Sequence, residues 1–288
     1  MAEIVIIGGG RLGTSLGRAL AGKGHSIRAV TCRRKRSAEE SRSVIGQGRA
    51  MTDNAAAARL GNVIFLCLPD EEIASVAWRL ARSRVNWAGK TVFHTSGILS
   101  SDVLKPLEER GALTASLHPA QAFPGKRTPP SHFRGISFGI EGHKAALTLA
   151  RRLVRQLGAK AVVIPADAKP LYHAALAFAS NFLVILVDAA SGLLNQAKIP
   201  ENKAAGVLFP LIQGTLRNVK NLDTAGSLTG PLVRGDAATV GAHLEALKRL
   251  PQYRDAYRAL SLMGVELARR AGLSPKKVKA LKSRLGGR

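Results

Sequence analysis

Three glycines with the spacing of a phosphate-binding turn stand near the start of the chain, within residues 8–13. This tract directly follows the apolar run of residues 4–7 and leads into a helical pattern. In a strand-turn-helix unit, the first glycine permits the tight turn, the second lets the backbone approach a pyrophosphate, and the third lets the helix pack on the sheet. The free amides of the first helical turn then face the phosphates. The alternative is a glycine-rich turn without a ligand, but the order of elements favours a dinucleotide site, with contacts expected at Gly8, Gly10, Arg11, Leu12 and Gly13.

The end of the second predicted strand, residues 26–31, indicates which dinucleotide is bound. NAD-binding proteins place a carboxylate on the ribose hydroxyls about twenty residues past the glycines, yet no acidic residue lies between Glu3 and Glu39. The strand instead runs into Thr31, Arg33 and Arg34. A guanidinium can hold the extra phosphate of NADP by two parallel hydrogen bonds. We therefore predict NADP(H), bound by these three residues, with a solvated basic loop as the alternative.

Polar residues also follow other predicted strands, where an open parallel sheet binds its ligands. We expect Leu68 and Pro69, Ser96, and His118 to converge on the nicotinamide end of the site. An imidazole that titrates near neutrality can transfer a proton in either direction, so His118 is the candidate proton donor. Ser96 would orient the imidazole or the substrate. The structural alternatives are a hydrogen-bonded histidine at a strand end and a turn serine before Gly97.

A long helix is predicted from about residue 167 to 195, which would place His173, Ser180 and Asn181 on one side across two turns. If that side faces the nicotinamide, His173 and Asn181 join the catalytic residues as the far wall of the pocket. The alternative is that these polar groups satisfy local backbone or domain contacts. His94, His118 and His173 lack metal-ligand spacing, so no metal site is predicted.

The alternation of strands and helices predicts an α/β fold: a doubly wound, mostly parallel Rossmann sheet followed by an all-helical domain. We expect a nucleotide-binding domain at 1–166 and a helical substrate and dimerisation domain at 167–288. Strands are predicted at residues 26–31, 49–51, 62–68, 90–94, 113–117, 135–141 and 160–164, and helices after the long one at residues 201–219, 236–247, 251–271 and 274–285.

The composition is that of a globular protein with an unusual charge. The chain has 288 residues, 46% of them hydrophobic, and a formal net charge of +24. Such a charge attracts anionic metabolites and phosphorylated cofactors. A nucleic-acid partner is not expected, because the basic residues are scattered and only 5% of residues are aromatic.

The remaining features concern location and assembly. Cys32 and Cys67 lack disulfide or metal spacing, and the N-terminus does not resemble a signal peptide, so we expect a cytoplasmic protein. The apolar stretch near residues 178–187 is interrupted by polar residues and is expected to be too short to span a membrane. The long helix is apolar on more than one side, which predicts a homodimer through the helical domain.

Several motifs together carry a family resemblance: the glycine turn, the strand that ends in Leu-Pro-Asp at 68–70, the His-Thr-Ser-Gly at 94–97, the His-Pro at 118–119 and the Leu-Thr-Gly-Pro at 228–231. They resemble bacterial Rossmann-like proteins with a helical C-terminal domain of unassigned function, which are usually described as NADP oxidoreductases. More distantly, the chain is similar to pyrroline-5-carboxylate reductase, 6-phosphogluconate dehydrogenase and prephenate dehydrogenase.

The resemblance implies an NADPH-dependent oxidoreductase that reduces the C=O or C=N bond of a small carboxylated metabolite, an oxo or imino acid. Prephenate dehydrogenases carry a catalytic histidine in a similar His-Pro element, which supports His118. Related reductases bring substrate-binding residues from a second subunit, which points to Thr229 and Arg234. The catalytic lysine of hydroxyacid dehydrogenases, one turn before an asparagine, is replaced by Ala177 if Asn181 is that asparagine. A redox sensor or regulatory protein that binds NADP(H) without turnover therefore stays open as the alternative.

Overall fold

Eight strands form one sheet in a computed structural model that describes residues 1–286. The strand order is β3-β2-β1-β4-β5-β6-β7-β8. All neighbours pair in parallel except β6 and β7, which are antiparallel. This arrangement confirms the predicted mostly parallel, doubly wound class. The strands are β1 Glu3–Ile7, β2 Ser26–Thr31, β3 Arg49–Met51, β4 Val63–Leu66, β5 Thr91–His94, β6 Leu113–Pro119, β7 Ser137–Gly142 and β8 Lys160–Val163.

Helices cover both faces of the sheet, because the central strands are apolar on both sides. In β1, Ile4 and Ile6 pack into a core under α1 and α6, whereas Val5 and Ile7 pack into a second core under α4. Strand side chains alternate between the two faces, so one short strand anchors both layers. The helices are α1 Arg11–Ala21, α2 Lys35–Ile45, α3 Asn54–Ala58, α4 Asp70–Ala81, α5 Lys105–Glu108 and α6 Lys144–Gln156.

The chain order reverses at β1, which has β2 on one side and β4 on the other. A crevice opens at such a switch point, beyond the carboxyl ends of the strands. β5 and β6 continue the parallel sheet from β4, so their carboxyl ends lie on the same edge. The fold therefore brings the turns after residues 7, 31, 66, 94 and 119 to one edge of the sheet.

The chain divides into two compact units, residues 1–181 and residues 182 onward. The first extends beyond the strands, because α7, Lys169–Ala179, bonds to β6: Lys169 donates to Ser116, and Tyr172 pairs with His118. The predicted domain boundary at 166/167 therefore lies earlier in the chain than the division between the two units, which falls after Asn181. The remaining helices are α7 Lys169–Ala179, α8 Asn181–Gln196, α9 Glu201–Leu222, α10 Thr224–Ser227, α11 Pro231–Arg234, α12 Ala237–Ala246, α13 Pro251–Arg270 and α14 Pro275–Leu285.

The second unit has a small core and a large uncovered apolar surface. Val240, Val265 and Leu281 are fully buried where α12, α13 and α14 meet. In contrast, α8 has no buried residue, and Val184 on it and Leu211 on α9 are 69% and 66% exposed. Exposed apolar surface of this extent on ordered helices indicates a contact with another surface.

The single helix predicted over 167–195 is wrong, because the structure divides it at Ser180. That residue has φ −123° and ψ −68°, outside the helical region, and separates α7 from α8. A second expectation also fails: the stretch Ala166–Gln196 contains an 18-residue window with a mean hydropathy of 1.8 and is long and apolar enough to cross a membrane by length and composition. Its polar residues are too few to lower the average below that of a spanning segment.

Candidate active site

The glycine turn after β1 has the backbone geometry that its sequence predicts. Gly8 has a φ of +103°, and the amides of Gly8 and Gly9 both donate to the carbonyl of Thr31, at 3.1 and 2.9 Å. A Cβ at Gly8 would lie 2.2 Å from the carbonyl oxygen of Cys67, whereas a Cβ at Gly10 would meet nothing within 4 Å. The turn is therefore closed against the sheet and open at Gly10, where a phosphate can approach the N-terminus of α1.

A cavity of about 870 Å³ lies over this turn. Seven of the predicted cofactor residues line it, whereas Arg11, Leu12 and Gly13 do not. A Cβ at Gly13 would lie 2.1 Å from the carbonyl oxygen of Gly8, so this glycine permits close helix packing. The lining includes helix-terminal amides and several basic side chains, a donor set that fits a phosphorylated dinucleotide. The seven residues are Gly8, Gly10, Thr31, Arg33, Arg34, Leu68 and Pro69.

An acidic residue, Glu72, also lines the basic end of the cavity. Arg33 Nη1 lies 3.3 Å from Glu72 Oε1 on the first turn of α4. Glu72 follows Arg33 at a distance in sequence but lines the same cavity. The Arg33 side chain is 88% exposed, so the ion pair is weak and leaves the guanidinium available to a phosphate.

Lys126 is a lining residue that the sequence analysis missed. It lies in the segment between β6 and β7, which reaches back to α1 and α2: Ser15 Oγ donates to the carbonyl of Gly125 at 3.4 Å, and Lys126 Nζ lies 2.8 Å from Glu40 Oε2. The Lys126 ammonium lowers the pKa of the exposed Glu40 carboxyl. The segment thus adds a fourth cation to the cavity, beside Arg33, Arg34 and Arg79.

Two histidines and a tyrosine meet at the ends of β5 and β6. The ring centroids of His118 and His173 are 6.0 Å apart, edge to face, and His118 Nδ1 lies 3.2 Å from the Tyr172 hydroxyl. Gly97 lies between the histidines: a Cβ there would be 2.6 Å from His173 Cδ2 and 2.9 Å from His118 Nε2. The structure therefore brings His118 and His173 together, and only a glycine fits beside them.

Burial holds His118 in its neutral form. The pKa of His118 is lowered to about 4, chiefly by desolvation and to a smaller extent by His173 and Lys169. The expectation that this imidazole titrates near neutrality is therefore wrong, because the ring is partly desolvated and lies near other basic groups. At pH 7 only roughly a thousandth of the population carries an imidazolium. His118 can still donate a hydrogen bond from its protonated ring nitrogen.

Ser96 is buried, and local bonds occupy its hydroxyl. Ser96 Oγ accepts hydrogen bonds from the amides of Ile98 and Leu99, at 3.2 and 3.1 Å. Its own amide donates to His94 Nδ1 at 3.2 Å. These contacts are those of a turn serine, and they fix the backbone beside Gly97. Within residues 1–286, no hydrogen bond joins the Ser96 hydroxyl to His118.

His94 is a structural histidine beneath this turn. It is fully buried, and its Nε2 bonds to the carbonyl of Ser100 at 3.1 Å. Burial lowers the pKa of His94 to about 3, with a smaller contribution from the charge of Lys169. The ring is therefore neutral, and its two hydrogen bonds connect the end of β5 to the following turn.

Lys169, on the first turn of α7, was not predicted as a site residue. It is 1% exposed, and its Nζ donates to the carbonyl of Ser96 at 3.3 Å and to Ser116 Oγ. Burial lowers the pKa of Lys169 to about 8, against the opposing charges of Glu141 and Asp70. Lys169 precedes His173 by four residues, so the two share a face of α7. The lysine absent at position 177 thus has a counterpart one turn before His173.

The other predicted site residues lie elsewhere. The break at Ser180 interrupts the helical phase that would have placed Asn181 on the face of His173, and Asn181 is exposed. Thr229 and Arg234 are exposed residues of the second unit. Thr229 lies just before the N-cap of α11, and Arg234 is the last residue of that helix. The carbonyl of Arg234 accepts a hydrogen bond from Lys277 Nζ at 2.9 Å. In residues 1–286, no group of three His, Cys, Asp or Glu side chains could hold a metal ion.

The geometry agrees with matches to two domain families. Residues 2–119 match the profile of a Rossmann-like domain, and residues 136–263 match that of a domain of unknown function, DUF2520. The chain joins a Rossmann-like domain to a DUF2520 domain. The DUF2520 match begins just before β7, so the last two strands of the sheet and α7, with Lys169, Tyr172 and His173, fall within it.

Solved structures show the same fold. A provisionally assigned NADP oxidoreductase from Bacteroides fragilis is 26% identical, with a TM-score of 0.76 over 92% of this chain and 98% of that one. A Thermotoga maritima protein is also 26% identical, with a TM-score of 0.71 over 93% and 98% of the two chains. A pyrroline-5-carboxylate reductase from Coxiella burnetii, 16% identical, has a TM-score of 0.57 over 95% and 99% and shares the fold. No curated protein matches the sequence. These matches confirm the resemblance stated from the motifs.

Proposed function

We propose that the chain is an NADPH-dependent oxidoreductase that reduces the C=O or C=N bond of a small oxo or imino acid. The observation that carries this proposal is the histidine cluster at the ends of β5 and β6, on the same sheet edge as the glycine turn after β1. A parallel sheet with a dinucleotide at its switch point presents the reactive end of the cofactor along this edge. The Bacteroides fragilis structure, described provisionally as an NADP oxidoreductase, supports the same reaction class.

The proposed cofactor is NADP(H), held by the glycine turn and by the cations at the end of β2. Arg33, Arg34 and Lys126 together provide three positive charges around the cavity. An additional phosphate gains charge-assisted hydrogen bonds from such a cluster. Glu72 would disfavour that phosphate, but the three cations outnumber its single negative charge.

Bound NADPH would supply a hydride to the carbon of the C=O or C=N bond. The heteroatom of that bond gains negative charge as the carbon is reduced, and a preorganised donor beside it stabilises that charge. We assign this role to the neutral imidazole of His118, with the balancing proton taken from solvent. His173 lies against it and forms the opposite wall. Arg234 is proposed to hold the substrate carboxylate from a second subunit.

The proposed assembly is a homodimer through the helical unit. α8 has no buried residue and α9 has only Ala204 and Leu208 buried, so most of the apolar surface of these two helices is exposed. A second copy would cover both. A bilayer fits less well, because Lys169 and Tyr172, at the start of the apolar stretch, bond to sheet residues. We also propose a cytoplasmic location, which suits the two free thiols of Cys32 and Cys67.

The second candidate is a sensor that binds NADP(H) without turnover. The neutral, half-buried state of His118 favours it, because an imidazolium acid is nearly absent at pH 7. A panel of oxo acids and cyclic and acyclic imines, each with the full-length protein and NADPH, separates the two. Consumption of NADPH above the rate of a His118→Gln variant supports the oxidoreductase. Tight NADPH binding with no consumption across the panel supports the sensor and contradicts the proposed function.

A further inference from the structure

The hydroxyl of Tyr172 lies in a space that Gly139 leaves open. His118 and Gly139 are direct partners across the antiparallel β6–β7 pair. A Cβ at Gly139 would be 2.7 Å from the Tyr172 hydroxyl, so any other residue at position 139 would displace the tyrosine. The phenol therefore reaches over β7 and ends 3.2 Å from His118 Nδ1.

The hydrogen-bond partners determine which way this contact is polarised. Burial raises the pKa of Tyr172, while a backbone hydrogen bond from Gly139 opposes that rise. The phenol is therefore protonated at neutral pH. The Tyr172 side chain is half-buried, so its hydroxyl proton needs an acceptor. Within residues 1–286, the acceptor in hydrogen-bond distance is His118 Nδ1, which can accept only when it carries no proton.

The opposite nitrogen then carries the imidazole proton. His118 Nε2 points to the space beside Gly97, where a Cβ would lie 2.9 Å away. The groups around the ring are Tyr172, His173, Gly97 and the more distant Lys169, and none is a carboxylate that would favour an imidazolium. Because residue 97 is a glycine, no side chain there blocks the approach of a ligand atom to Nε2.

We propose that Tyr172 is a positioning residue that holds His118 in its neutral Nε2–H form, aimed at the heteroatom of the bond being reduced. The substrate part of this inference rests on the proposed function. The tautomer part is a property of the protein alone. A neutral donor of fixed direction stabilises developing negative charge without reorganisation in the reaction.

The tautomer can be measured by long-range 1H–15N NMR on the full-length protein labelled with [15N]histidine, with His118→Gln to assign the signal. We expect one neutral Nε2–H form of His118 from pH 6 to 8. In Tyr172→Phe the Nδ1–H form should appear, and the pKa of His118 should rise because the neutral ring loses its donor. An Nδ1–H form in the parent protein, or an unchanged spectrum in Tyr172→Phe, overturns the inference.

A matched control exists in the second unit. Tyr257 bonds to His243 Nδ1 at 2.9 Å, and their rings meet edge to face as in the Tyr172–His118 pair. Tyr257→Phe should leave the signal of His118 unchanged. With a substrate from the panel, Tyr172→Phe should lower kcat roughly tenfold, the worth of one neutral hydrogen bond, with the KM for NADPH unchanged. If no substrate turns over, the proposed function fails while the NMR result still decides the tautomer.

Discussion

Lys169 Nζ donates to the main-chain carbonyl of Ser96 at 3.3 Å, from a side chain that is 1% exposed. The same ammonium donates to Ser116 Oγ, which in turn donates to the Ser96 carbonyl at 3.3 Å. One buried cation thus ties α7 to the ends of β5 and β6. It places positive charge beneath the turn that carries Gly97, and beside the site proposed for a developing negative charge.

The first prediction concerns this charge. Burial lowers the pKa of Lys169 to about 8, so the cation is lost as the pH rises through that value. We expect turnover to decline above about pH 8 in the parent protein. Lys169→Met should turn over more slowly at every pH and lose this decline, and Lys279→Met, on the surface of α14, should behave as the parent. A parental pH profile in Lys169→Met would refute the role.

The second prediction concerns the space at Gly97. Gly97→Ala places a methyl group 2.6 Å from His173 Cδ2 and 2.9 Å from His118 Nε2, so the imidazoles must move apart. A misplaced catalytic group costs on the order of a hundredfold in turnover. NADPH affinity should stay near the parental value, because the glycine turn is unchanged. Gly206→Ala, where a Cβ meets nothing within 4 Å, is the matched control; full turnover in Gly97→Ala would exclude close packing around the reacting atoms.

The third prediction concerns the cofactor. Removing one charged partner of a phosphate costs about 1.5–3 kcal/mol, or roughly ten- to a hundredfold in affinity. Arg33→Ala, Arg34→Ala and Lys126→Ala should each weaken NADPH binding by that amount and change NADH binding little. Lys144→Ala, on α6, serves as the control. Fluorescence or calorimetric titration gives the affinities, and equal affinity of the parent protein for NADPH and NADH would contradict the assignment.

The fourth prediction concerns assembly. Val184 and Leu211 are 69% and 66% exposed, and a second copy would bury them. Light scattering at micromolar concentration should give twice the mass of 30.5 kDa. Val184→Asp and Leu211→Asp should shift the protein toward the monomer, because an unpaired charge is costly in an apolar contact. A monomer mass for the parent protein would refute the dimer.

The sheet was largely predictable, because its strands are short apolar runs bounded by glycine, proline or polar residues. The predicted strands at 26–31 and 49–51 coincide with β2 and β3, and the last four predicted helices lie within three residues of α9, α12, α13 and α14. The break at Ser180 was not predictable in the same way. Serine is tolerated inside helices, and the non-helical backbone there departs from a local sequence that favours one continuous helix.

The residues of the site also differ in how far the sequence alone could predict them. The glycine turn and His118 follow strands directly, so the rule for parallel sheets locates them. Lys126 was missed because the segment between β6 and β7 has no periodic pattern, and contacts with α1 and α2 position it. Tyr172 was missed because a helix displays several faces, and the choice among them depends on Gly139, which is distant in sequence. The four-residue spacing of Lys169 and His173 was the one sequence feature that indicated which face of α7 points to the site.

The most direct test of the proposed function is transfer of the label from NADPH deuterated at carbon four, with each of the two labelled forms presented in turn to the panel of oxo acids and imines. Mass spectrometry of the products measures the transfer. We expect one deuterium in the reduced product of at least one panel member from one of the two labelled forms, and a sharply lower yield with His118→Gln. Label retained in the nucleotide throughout, although the protein binds NADPH, would contradict it.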